Sequence, residues 1–273
     1  MVARNAHSDD TIAVSEIPAQ ARQEIVRRLD RIRTEEGVRF LLAIESGSRA
    51  WGFPSPDSDY DVRFIYVRPW QDYVTLRPVR DVVERPIVDD FDVNGWDIRK
   101  ALGLLLKHNA VVAEWINSPI RYLPDDPIIS RISEVADHFF DPSGYAMHYA
   151  SLGKNNVDRW DSAAETISAK RYFYALHPAL SVRALRLDPS KRPPMRLQKL
   201  MMVCDLPRDL SSDIHGLVEM KAEKREAAAT TRFPAIERLV MEELSRADEV
   251  PSRRNDEDFV EATDAIFREV IAA

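Results

Sequence analysis

The chain has one cysteine, Cys204, in 273 residues, so it forms no intrachain disulfide. Beside Met201, Met202 and Val203, that thiol reads as a small core side chain rather than a reactive one. No apolar run approaches the ~20 residues needed to cross a bilayer. Residues 1–16 show neither helical periodicity nor a basic-then-apolar secretory leader. The expectation is a flexible N-terminal stretch over 1–16 on a cytoplasmic protein with no membrane partner. An excess of cations is missing too: a net charge of −7 argues against a broad basic face gripping nucleic acid along its length. Neither an internal repeat nor a low-complexity tract is present. Hydrophobic residues make up 45% of the chain, enough at this length for one large core or two modest domains.

The most informative stretch is 45–67. Ahead of it, Val38-Arg39-Phe40-Leu41-Leu42-Ala43-Ile44 is an apolar run of strand length. It stops near Gly47-Ser48, where a missing Cβ lets backbone amides approach a phosphate. Gly52, Pro54 and Pro56 break regular structure. Asp59-Tyr60-Asp61 then leads into Val62, Phe64, Ile65, Tyr66 and Val67, which reads as a buried strand. Positions i and i+2 of a strand share a face, so Asp59 and Asp61 project together beside the Gly-Ser turn. Two parallel carboxylates repel unless a cation sits between them. Hard oxygen donors at that spacing suit Mg²⁺, which shares its shell with substrate phosphates. A phosphate cradle beside a carboxylate pair is the layout of two-metal phosphoryl or nucleotidyl transfer.

Gly47-Ser48, Gly52 and Ser58-Asp59-Tyr60-Asp61 resemble the signature of the DNA polymerase β nucleotidyltransferase superfamily. The longer string Gly-Ser-Arg-Ala-Trp-Gly-Phe…Ser-Asp-Tyr-Asp-Val-Arg-Phe-Ile-Tyr is similar to one branch of it. That branch holds predicted nucleotidyltransferases, including RNA-ligase-associated, RNA-repair members. Gly95-Trp96-Asp97-Ile98-Arg99-Lys100, Glu114-Trp115 with Ser118-Pro119-Ile120, and Lys170-Arg171-Tyr172-Phe173-Tyr174-Ala175-Leu176 fit the same branch, so the resemblance spans roughly 36–200.

The resemblance implies an α+β fold, with a mixed-sheet nucleotidyltransferase domain at 17–123 and a helical domain at 124–273. It implies Mg²⁺ or Mn²⁺, two ions about 4 Å apart, and an NTP, ATP foremost, as substrate. The reaction would move an NMP to a hydroxyl acceptor: an RNA end, a protein side chain or a small molecule. Asp59 and Asp61 would bridge the ions. Superfamily members draw a third carboxylate from a neighbouring strand, here Asp92, which would also accept the nucleophile's proton. Asp97 competes for that place, although an aspartate just before a helix is a natural N-cap. Gly47 and Ser48 would hold the β- and γ-phosphates, with Arg49 either adding charge there or facing solvent. Lys154, Asn155, Asn156, Lys170 and Tyr172 are the candidates for phosphate and base contacts. His148 reads either as a stacking residue or as structural. Where members of the branch carry arginine before a proline, this chain has His177.

Elsewhere, periodicity predicts helices at 18–33, 69–76, 98–108 and 110–117, and strands at 79–83 and 87–96. Pro124 to Pro127 reads as a boundary turn. Beyond it lie helices at 127–139, 142–163, 164–187, 195–203, 207–227, 232–247 and 256–272. The net charge hides a basic segment at 154–199. Within it Lys191, Arg192, Arg196 and Lys199 surround a proline-rich interruption and are candidate RNA contacts. Two further readings stay open: a non-catalytic nucleotide sensor, or a toxin–antitoxin component with the same fold.

Overall fold

The computed structural model describes residues 17–160, 164–223, 229–253 and 256–273. The stretch 1–16, expected to be flexible, lies outside the described residues, as do the ends of the helices expected at 142–163 and 207–227. In chain order the first half runs α1 (Ala19–Glu36), β1 (Arg39–Glu45), α2 (Gly47–Trp51), β2 (Tyr60–Val67), β3 (Val82–Glu84), β4 (Phe91–Asp97), α3 (Ile98–Leu105) and α4 (Ala110–Ile116). There follow α5 (Ile128–His138), α6 (Pro142–Val157), β5 (Thr166–Ser168), α7 (Ala169–Leu187), α8 (Leu197–Val203), α9 (Arg208–Glu223), β6 (Ala229–Thr231), α10 (Pro234–Ser245) and α11 (Asp256–Ala272). The protein is α+β. Among the described residues no helix is long and apolar enough to cross a membrane.

The main sheet has the order β1-β2-β4-β3 and is mixed, with β2 and β4 parallel and the outer pairings antiparallel. Strand alternation divides its residues between two layers. Val62, Phe64 and Tyr66 pack with Ile25, Leu29 and Ile32 of α1. Leu42, Ile44, Ile65 and Val67 pack on the opposite face with α3, α4, α5 and α11. Both α5 and α11 lie beyond the turn at 124–127, yet they bury their apolar sides against this face.

Several expected elements form differently. The helix expected at 69–76 is a single 3₁₀ turn, Trp70–Tyr73. The strand expected from 87 starts only at Phe91, because Asp89 and Asp90 take left-handed φ values of 54° and 65° and turn the chain. The strand expected at 79–83 is β3, shifted to Val82–Glu84. The helix expected from 164 begins at Ala169, since Thr166–Ser168 pairs with Ala229–Thr231 in a two-stranded ribbon. Three-residue strands carry too few side chains for periodicity to register.

The helices from α7 to α10 share a core of Phe173, Leu176, Leu180, Leu197, Leu200, Ile214, Leu217, Ile236 and Val240. Phe53, from the loop after α2, enters that core and stacks on Phe173 at 4.3 Å. The buried Lys221 Nζ donates to the Phe53 carbonyl at 2.9 Å. Gln198 Nε2 donates to the Gly52 carbonyl at 2.5 Å, and Trp51 stacks on His177 at 4.5 Å. The loop between the Gly-Ser turn and the aspartates is therefore what fastens the sheet to the helices. Cys204 is buried in the same core and donates to the Leu180 carbonyl, and burial pushes its thiol up to about 12.

Gly95 sits opposite Phe64 in the parallel register, and a Cβ there would lie 2.3 Å from the Phe64 ring. Gly95→Ala should destabilise the fold by about 1–3 kcal/mol through overpacking, read as a lower thermal midpoint. A midpoint within a degree of wild type would show that the ring turns aside freely.

Candidate active site

The parallel pairing of β2 and β4 sets Asp61 beside Asp92, Arg63 beside Asn94 and Ile65 beside Trp96. All six side chains point to one face of the sheet. Ile65 and Trp96 run under the helices, and Trp96 stacks on Trp115 at 3.9 Å. Asp61, Arg63 and Asn94 instead line a cavity of about 330 Å³ between the strand starts and the helices. Gly47 borders its polar end. Trp51, Tyr174, His177 and Pro178 form the other end, with Glu114, Tyr149 and Asn156 in the wall.

Arg63 links the aspartates: its Nη2 donates to Asp61 Oδ1 at 3.0 Å and to Asp92 Oδ2 at 2.7 Å. Its Nη1 is anchored on the Asp92 and Val62 carbonyls. Asn94 donates to Asp92 Oδ1 at 3.2 Å. Burial raises the Asp61 pKa. The charges of Asp92 and Asp59 add to that rise, while Arg63 and Lys170 oppose it. Among the described residues no three carboxylates, histidines or cysteines stand grouped to hold a metal as they are, because the guanidinium occupies the gap. The donor chemistry nevertheless suits a hard cation, since the charges of Asp92 and Asp59 both act on Asp61, whose Oδ2 is outside its pair with Arg63. That oxygen faces Gly47, where a Cβ would come within 2.0 Å of it. Gly47 has φ +58°, so both its backbone and its neighbour require glycine.

Ser48 is buried, and its hydroxyl bonds to Ser58 Oγ at 3.2 Å, which in turn meets Ser55 Oγ at 2.8 Å. The hydroxyl expected to reach a phosphate thus lies in a chain of serines. Arg49 neither faces solvent nor lines the cavity. Its guanidinium donates to the carbonyls of Ser58 and Asp59 and lies 4.2 Å over the Tyr60 ring. It fixes the backbone that carries Asp59, which is half-buried at the entrance to β2. Behind the turn, Glu45 is fully buried and accepts from Tyr122 OH at 2.5 Å and from the Asp61 N–H at 3.1 Å. Burial pushes its carboxyl up to about 7, although both hydrogen bonds pull it down.

The two candidates for the third carboxylate separate cleanly. Asp92 shares the cavity-side face with Asp61. Asp97 points to the other face, caps α3 by accepting from the Arg99 N–H at 2.8 Å, and accepts from Tyr73 OH at 2.8 Å. Among the helical candidates, Lys170 is close enough for its charge to lower the pKa of Asp61, and its Nζ lies 5.7 Å from the Tyr174 ring. Asn156 lines the cavity and donates to the Leu152 carbonyl. Lys154 and Asn155 are exposed and are not among the cavity-lining residues. Tyr172 is fully buried, donates to Glu237 and accepts from the Phe233 N–H, so it belongs to the helical core. His148 does not line the cavity either, and burial lowers its pKa.

Sequence reasoning missed Arg63, Trp51, Glu114 and His177 as cavity residues. Arg63 was detectable, since it shares strand parity with Asp59 and Asp61. The other three converge from separate elements. Glu114 accepts from Tyr149 OH at 2.9 Å and from Trp51 Nε1 at 3.3 Å, and burial pushes it up to about 7. His177 is buried, which lowers its pKa to about 4 and keeps it neutral. Its Nε2 lies 2.8 Å from the Met195 carbonyl, so that nitrogen carries the proton and donates.

A mixed sheet with a Gly-Ser turn packed against an aspartate pair defines the polymerase β-like nucleotidyltransferase class. Within it, the chain belongs to the RlaP family, described as an RNA repair pathway DNA polymerase beta family, whose model matches residues 21–269. The chain is also similar to an uncharacterized protein, YcgL, of Bacillus subtilis (strain 168). The two are 36% identical over 225 residues, which cover 82% of this chain and 86% of that one.

The raised pKa of Glu114 gives stability a pH dependence. A carboxyl near 4.5 when unfolded and about 7 when folded stabilises fully below 4.5, and this contribution is lost as pH rises toward 7. Glu114→Gln keeps partners for both neighbours and removes the titration. Its thermal midpoint should match wild type near pH 5 and exceed it at pH 7.5, by an amount on the order of 1–3 kcal/mol. A constant difference between the two proteins across that range would refute this assignment.

Proposed function

We propose that this protein transfers a nucleoside monophosphate from an NTP, with ATP favoured, to a hydroxyl acceptor at an RNA end. The observation that carries the reading is the in-register pair of Asp61 and Asp92 beside a cavity of about 330 Å³ with ionic groups at one end and aromatic rings at the other. Divalent ions, Mg²⁺ or Mn²⁺, would supply neutralisation of the triphosphate and activation of the acceptor hydroxyl there. Asp59 and Asp61 would hold them, Asp61 through the oxygen facing Gly47. Asp92 would take the proton of the attacking hydroxyl. Arg63 keeps Asp61 and Asp92 close before any ligand arrives. The backbone amides of Gly47 and Ser48, together with Lys170, would orient the β- and γ-phosphates.

The aromatic end suits a base. With Nε2 donating to Met195, the Nδ1 of His177 is a buried acceptor without a hydrogen-bond partner among the described residues. An exocyclic amine would satisfy it, which fits ATP and disfavours UTP. One observation favours a second reading, a nucleotide sensor without catalysis: the guanidinium of Arg63 already neutralises the aspartate pair.

Incubation with each α-labelled NTP, Mg²⁺ or Mn²⁺ and RNA should move label onto the RNA. Asp61→Asn and Asp92→Asn should lower that transfer by about two to four orders of magnitude. Asp97→Asn should keep transfer and nearly all of its stability, because asparagine caps a helix about as well as aspartate. Loss of transfer in Asp97→Asn with activity retained in Asp92→Asn would reverse the two roles. Nucleotide binding with no transfer by the wild type would favour the sensor.

A further inference from the structure

A second, larger cavity of about 610 Å³ adjoins the first. Lys191, Arg192, Arg196 and Lys199 line it, and it shares Glu114 and Tyr149 with the cavity beside the aspartates. A hydrogen bond joins the two as well, since the Met195 carbonyl on its rim is the partner of His177. We propose that this basic cavity is the docking site for the phosphodiester backbone of a single-stranded RNA whose end enters the neighbouring cavity. The inference rests on the nucleotidyl-transfer reading for the strand's purpose, but the binding it describes stands without that reaction.

Two observations support it. First, the cations here differ from others in the same segment. Arg183 and Arg186 are both spent on the fully buried Glu243, at 2.7 and 3.0 Å. Lys191 and Lys199 are exposed instead, and among the described residues Lys191 pairs with the exposed Asp188 at 3.4 Å. Second, Arg192 lines the cavity and is held in place by Asp137, with its guanidinium beside the Tyr145 hydroxyl. A phosphate oxygen is the acceptor that a guanidinium nitrogen in such a position suits best. Asp137 offsets Arg192, so the charge offered to a strand is that of the other rim cations, led by the exposed Lys191 and Lys199. A duplex needs a broad basic face, whereas a chain of net charge −7 that concentrates cations in one cavity suits a single strand.

The test is binding of a fluorescein-labelled ten-nucleotide single-stranded RNA, without NTP, across a salt series. The proteins compared are the wild type, the double variant Lys191→Gln/Lys199→Gln, and Asp61→Asn. Both lysines are exposed, so the double variant should fold as wild type does. It should bind about tenfold more weakly, with the salt slope flatter by about 0.7 for each lost contact and with unchanged ATP affinity. Asp61→Asn should bind the RNA as wild type does. Unchanged RNA affinity and slope in the double variant would overturn the proposal. So would failure of wild type to bind the strand at low salt, equal affinity for the duplex, or equal competition by polyglutamate. RNA binding that responds as expected, in a wild type that transfers no label, would instead remove the catalytic reading and leave the docking site standing.

Discussion

Two carboxylates fixed side by side are the constraint from which the arrangement of this protein follows. Parallel pairing of β2 and β4 puts Asp61 and Asp92 in register, and a sheet has no soft degree of freedom by which they can separate. Some cation has to lie between them. Arg63 supplies it from the next position of the same strand face, tied by two backbone carbonyls so that its charge stays put. The same face then divides into a polar half at the strand starts and an apolar half beyond. Helices α3, α4, α5 and α11 cover the apolar half, which leaves the polar half opening into a cavity. Two nearby acids are handled in the opposite way. Glu45 and Glu114 lie deeply buried, each beside a tyrosine hydroxyl, and burial pushes both up to about 7. One strategy neutralises with a cation and the other with a proton.

The second requirement is that the helical groups meet the aspartates at a fixed distance. The Trp51-Gly52-Phe53 segment provides this through apolar packing. Phe53 is buried in the helical core, Gln198 holds the Gly52 carbonyl, and Trp51 stacks on His177. Each contact is made by the loop that joins the Gly-Ser turn to Asp59. Lys170, Tyr174 and His177 are therefore positioned by the helical core before any ligand binds, which lowers the cost of ordering a site.

Much of this was legible in the sequence wherever local rules decide it. The position of Asp61 at the start of a buried strand and the cap position of Asp97 are short-range features that local rules read, whereas Asp59 lies just ahead of β2 and is not among the cavity-lining residues. Asp89-Asp90 also carried a turn signal, because aspartate tolerates left-handed backbone better than most residues; the apolar residues on either side masked it. The roles of Arg49 and Tyr172 were not legible. An arginine after Gly-Ser reads as a phosphate ligand until the 58–60 backbone is seen to take its donors. A tyrosine among family-like aromatics reads as a base contact until Glu237 and the Phe233 N–H are found around its hydroxyl. Both outcomes depend on residues distant in sequence or on a loop path that spacing does not fix.

The basic segment shows how structure sorts charges that composition lumps together. Between 154 and 199 the sequence offers a run of cations of equal standing. The fold splits them by the burial of their partners. A carboxylate removed from water, such as that of Glu243, has to be compensated, so Arg183 and Arg186 are committed to the core and losing either would leave a buried charge. A carboxylate in water asks for no such compensation, and the pair of Lys191 with Asp188 at 3.4 Å is worth little to stability. Cations of this second kind keep their charge available to a ligand. In this protein they gather at the rim of one cavity, next to the groups that would act on a strand's end.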